Sequence, residues 1–85
     1  MSTDFQTVVK SRIADNQRYD AIDRLIDRGE RTNLGVIVRA GGIDGEFRRR
    51  ALEGLADCNG SEELTALAED TTIEPSLRRR ADELA

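Results

Sequence analysis

Histidine is missing from this 85-residue chain, and cysteine, proline and lysine each occur once. Without imidazole there is no Ser-His or Cys-His nucleophile pair and no histidine-ligated metal, and a lone Cys58 cannot assemble a zinc site. Nor can Cys58 close an intrachain disulfide, so no covalent staple supports the core and nothing points to an oxidising compartment. Aromatics make up only 4% of the residues, which leaves Leu, Ile, Val and Ala to do the packing. The longest apolar stretch, Leu34 to Val38, falls far short of the ~20 residues a membrane-spanning helix needs. Met1 to Lys10 lack the apolar segment of a secretory signal. The expectation is a cytoplasmic protein that is not an enzyme, holds no cofactor and does not engage a membrane.

Hydrophobic residues reach 38% and charged residues 35%, a balance found in globular chains rather than disordered ones. The length corresponds to one domain, residues 1–85, with a small core and a small stability margin. A net charge of −4 argues against non-specific nucleic-acid binding by bulk electrostatics, although twelve of the thirteen basic residues are arginine and a local basic patch stays open.

Shifting the sequence against itself by 30 residues aligns like with like, without a gap. Ile13, Ile43 and Ile73 coincide, as do Arg18, Arg48 and Arg78, and then Ala21, Ala51 and Ala81. Leu25 with Leu55, Asp27 with Asp57, and Leu34 with Leu64 match in two copies. The units are about 1–30, 31–60 and 61–85. Each divides into a shorter and a longer helix-spaced segment, near residues 4–14 and 17–28, 32–40 and 45–57, and 61–69 and 75–85. In the first, Phe5, Val8, Val9 and Ile13 follow i, i+3, i+4, i+8, and every longer segment carries one apolar stripe. Asp4, Thr32 and Ser61 are candidate cap residues. Asp44 before Gly45 and Glu74 before Pro75 mark two further helix starts. Gly29, Gly41 and Asn59-Gly60 are candidate left-handed helix stops. The pattern predicts an all-α fold of three stacked antiparallel helix hairpins, a short α-solenoid. The β-branched run Val36-Ile37-Val38 is the one place where a local strand competes.

The run Phe47-Arg48-x-x-Ala51-x-x-x-Leu55 resembles the first helix of HEAT-like repeats of the short type found in phycobilisome-lyase relatives. Gln17-Arg18-x-x-Ala21-x-x-x-Leu25 lacks the leading apolar residue, and Leu77-Arg78-x-x-Ala81 ends with Leu84 one place early. The resemblance implies a binding scaffold, and it implies that Arg18, Arg48 and Arg78 form a structural ladder with Asp27, Asp44, Asp57 or Glu74 as candidate partners.

Three surface features are candidates for function. Arg48-Arg49-Arg50 and Arg78-Arg79-Arg80 would stack on neighbouring helices, with Arg49, Arg50, Arg79 and Arg80 as the binding candidates. Glu46, Glu53, Asp82 and Glu83 lie near enough to turn the same ridge into solvated ion pairs. Leu77, Ala81 and Leu84, on the last helix, are expected to face outward and to serve self-association or a protein partner. On the longer helix of the first unit, Asp20, Asp23 and Asp27 share a face with Arg24 and Arg28, and Asp20 with Arg24 is a favourable i,i+4 pair. The glycines of Gly41-Gly42-Ile43-Asp44-Gly45 fit a helix stop and restart, because Asp44 would place a carboxylate where a bound phosphate should sit. The leading expectation is a non-catalytic protein-interaction or adaptor module; the alternative is a nucleic-acid-binding repeat that uses the arginine ridge on phosphates.

Overall fold

The computed structural model describes residues 3–9 and 15–85. Ile13, the end of the first expected helix and the side chain of Val9 lie outside that description. Among the described residues six helices follow in order: α1 (Thr3–Val9), α2 (Asp15–Asp27), α3 (Arg31–Arg39), α4 (Gly45–Asp57), α5 (Ser61–Ala68) and α6 (Pro75–Leu84). Among the described residues there is no strand, and Val36 to Val38 are helical, with Ile37 and Val38 buried and Val36 exposed.

Helix ends recur at the 30-residue interval, down to individual backbone bonds. Gly29 and Asn59 both have left-handed φ, at 64° and 62°. The amides that follow them, Glu30 N and Gly60 N, donate back to Leu25 O and Leu55 O. This wrap-around bond is the usual way a left-handed stop satisfies the last carbonyls of a helix. The shorter turns also agree, since Ala40 N reaches Ile37 O as Asp70 N reaches Leu67 O. Gly41 is not left-handed; the helix before it closes through the Ala40 bond instead. The residues before α4 and α6, Asp44 and Glu74, hold nearly the same φ and ψ.

Three of the expected starts are corrected. α3 begins at Arg31, because Glu30 supplies the first helical carbonyl to Leu34 N, so Thr32 lies inside the helix. α5 is preceded in the same way by Gly60, and Ser61 is its first helical residue rather than its cap. α2 already includes Asp15, two residues ahead of the expected start near residue 17. Asn16 Oδ1 there accepts from Gln17 N, and Asp15 places negative charge in the first turn, where the helix dipole favours it.

α1 packs on α2, α3 on α4 and α5 on α6; in addition α2 packs on α4, α4 on α6, α1 on α3 and α3 on α5. The aligned columns share one environment: Ala21, Ala51 and Ala81 are all 0% exposed, and Leu25, Leu55, Leu34 and Leu64 are buried with them. Burying each such Leu is worth about 1.5–3 kcal/mol relative to exposure. One column breaks the rule instructively. Ile22 and Leu52 are fully buried, but the third member is Asp82, which is exposed. The outward side of α6 is therefore polar.

At Gly54 the backbone of α4 lies directly beneath the Ile26 side chain of α2. A Cβ built there would collide with Cδ1 and Cγ1 of Ile26, so the Ile26 side chain occupies the space a larger residue would need.

Candidate interaction surface

Each arginine triplet divides its members among three environments, because successive residues turn by about 100° around a helix. Arg48 points inward and is only 7% exposed. Its Nε donates to Val38 O at 2.9 Å and its Nη1 to Glu74 Oε1 at 3.1 Å. Val38 O belongs to the last turn of α3, where a carbonyl lacks a helical partner and a cation is favoured. Of the four carboxylates the ladder pattern suggested, Glu74 is the one that meets Arg48. Arg18 stands differently: its Cζ lies 5.4 Å from the centre of the Phe47 ring, and Asp15 approaches to 4.0 Å. Arg78 is half-buried, and its enclosed Nε has no hydrogen-bond partner among the described residues.

Arg50 and Arg80 reach sideways to the preceding long helix. Arg50 Nε donates to Asp23 Oδ1 at 3.0 Å, and Nη2 donates to the same oxygen. Arg80 makes a two-pronged contact with Glu53, Nε to Oε2 at 2.6 Å and Nη2 to Oε1 at 2.8 Å, and also meets Glu83. Both bridges span 27 residues, and Asp23 and Glu53 lie 30 apart, so one register serves both. The Arg80 hydrogen bond holds the Glu53 carboxyl below its ordinary range, while Glu53 pushes the Arg80 guanidinium further up. Arg49 and Arg79 remain exposed and make no ion pair with a described residue. Of the four candidate ridge residues, the fold thus leaves two without an ion pair among the described residues.

The apolar trio of α6 is corrected. Leu77 and Ala81 are 2% and 0% exposed and lie inside the core; only Leu84 keeps partial exposure. They pack inward because α6 turns them toward α4 and α5, and the side turned to solvent carries Arg79, Asp82 and Glu83. Leu77 and Ala81 therefore face inward rather than outward.

The expected Asp20 and Arg24 pair is corrected as well. Arg24 Nε and Arg28 Nη1 each donate at 2.8 Å to a different oxygen of Asp4, which is 7% exposed. Asp4 is thus an ion-pair centre rather than a helix cap. This cluster escaped the sequence reading, although a signal existed: Asp4 aligns with Leu34 and Leu64, so a charge stands in an apolar column. Also missed was Tyr19, whose ring centre is 4.8 Å from that of Phe47 and whose hydroxyl donates to Glu46 Oε2 at 2.9 Å. That bond to a carboxylate raises the Tyr19 pKa above its ordinary value.

Between α2 and α4 lies an open cleft of about 750 Å³, lined by Asp23, Ile26, Asp27, Arg28, Arg50 and Asp57, with Gly29 and Cys58 at its end. Asp27 and Asp57 are equivalent positions, both exposed and without an ion pair among the described residues. Cys58 is half-buried, with Sγ 3.8 Å from Leu55 O. Among the described residues no group of three or more acidic or cysteine side chains is placed to hold a metal ion, and no helix is long and apolar enough to cross a membrane. Neither a protein-family model, nor a curated protein, nor a solved structure matches this chain.

Proposed function

We propose that the chain is a short α-solenoid of three helix pairs, HEAT-like in pattern, that works as a non-catalytic protein-interaction module. The observation that carries this reading is the cleft between α2 and α4. It presents Asp27 and Asp57 in one register as uncommitted carboxylates beside Ile26, while Asp23 and Arg50 are paired with each other and Arg28 is held by Asp4. The matching bridges of Arg50 and Arg80 and the matching burial of Ala21, Ala51 and Ala81 support the solenoid architecture. A partner that suits this surface is a protein segment carrying Lys or Arg at two points. The test is capture from native-cell extract with nuclease-treated wild-type protein and with a D27K/D57K variant whose helicity is intact. Loss of bound protein from the variant alone supports the reading; the same set on both, or none on either, overturns it.

A nucleic-acid reading retains Arg49 and Arg79, exposed at equivalent positions. Two phosphate contacts give a log-log salt slope of only about −2 on duplex DNA. A slope near that value, abolished by R49E/R79E, would favour that reading over the first.

A further inference from the structure

We propose that α1 is a strap latched by charge, which opens and closes on the other five helices as a separate element, with ionic strength setting the balance. Three coordinated departures from the 30-residue pattern make the latch. Asp4 stands where the other units have the buried Leu34 and Leu64, Arg24 where they have Gly54 and Leu84, and Arg28 where the second unit has Cys58. The three departures meet: both oxygens of Asp4 are held, one by each arginine, at 2.8 Å. α3 and α5 are therefore seated by leucine at this position and α1 by a carboxylate.

The remaining described anchors of α1 are Phe5 and Val8, both buried. A seven-residue helix does not persist alone in water, since isolated helices shorter than about 12–15 residues are marginal, so α1 released is α1 unfolded. The arginine side chains are about half exposed, at 49% and 58%, which leaves their side of each pair open to counterions. Screening shortens the reach of such pairs from about 30 Å at about 0.01 M salt to about 3 Å at about 1 M. Leu34 and Leu64 carry no such sensitivity at this position, because burial of apolar surface is not weakened by screening; the one ion pair of α3 among the described residues, Arg39 with Asp70, lies at its far end.

Hydrogen exchange on the full chain tests this. Thr7, Val8 and Val9 are the α1 amides with acceptors inside the described helix. Their protection is expected to fall about fivefold between low and high NaCl, as two half-exposed ion pairs allow, while that of α4 holds steady. D4N brings the low-salt protection down to the high-salt level, and D4L, which restores the column residue, removes the salt dependence. Wild-type α1 protection that does not change with salt, or that falls only in step with α4, overturns the proposal without requiring either variant to fold.

Discussion

At the junction of α2 with α4 a bulky side chain faces an empty position, Ile26 over Gly54. Thirty residues on, at the junction of α4 with α6, the same two places hold Ala56 and Leu84, and the sizes are reversed. Charge behaves in the opposite way: Arg50 with Asp23 and Arg80 with Glu53 keep one sign, one direction and one spacing. The difference shows which quantity each junction must conserve. Volume is balanced locally between two side chains, so either can be the large one, whereas the bridge depends on the relative placement of whole helices and recurs wherever that placement recurs.

The largest expected effect follows from the volume balance. Gly54→Leu, alone, overpacks the first junction and costs about 3 kcal/mol in urea denaturation. Adding Ile26→Ala reproduces the arrangement of the second junction and recovers most of that loss. Absence of coupling between the two would show that the junctions are not equivalent. Next comes Arg48→Ala, expected to cost about 2 kcal/mol, because it strips the side-chain donor from Val38 O in a buried place. Arg78→Ala, whose enclosed Nε has no hydrogen-bond partner among the described residues, should cost clearly less. Equal losses would erase the distinction drawn between these rungs.

How much of this was legible beforehand follows the same division. Helical content, the start of α4 at Gly45 and of α6 at Pro75, and the buried alanine column were readable, since helix period and turn chemistry act within a few residues. The pairing of Arg50 with Asp23 was not, because i,i+4 rules describe one helix and this bridge joins two across 27 residues. Leu77 and Ala81 were misplaced for a related reason: a stripe tells that a face is covered, not which neighbour covers it. Asp4 reads as a cap in sequence because capping is local, whereas its arginines lie 20 and 24 residues away.

The bridges themselves should contribute little. Asp23→Asn and Glu53→Gln are each expected to cost about 0.5 kcal/mol or less at neutral pH, both being partly solvated, and to cost similar amounts. A large difference between them would mean that the shared register hides unequal contacts.

The smallest effect is a pH dependence at the turn after α5. Hydrogen bonds from Thr72 and Arg39 hold the Asp70 carboxyl down at about 2. Its folded value lies below its unfolded one, so its contribution is full above the ordinary carboxylate range and fades as pH falls from about 4 toward 2. The stability difference between wild type and Asp70→Asn is therefore expected to shrink through that interval. A difference that stays constant from neutral pH down to 2 would remove the ion pair from the account.

Equivalence of the units is tested most directly by lengthening the chain. A second copy of residues 31–60 is inserted after Gly60, with Ala56→Ile in the upstream copy so that the new junction meets its glycine as Ile26 does. Interchangeable units that bury their faces on one another give a protein with the added helix content, a single cooperative urea transition and an m-value raised by about a third. An inserted segment that remains unfolded, or an m-value that stays at that of the parent chain, would contradict the repeat.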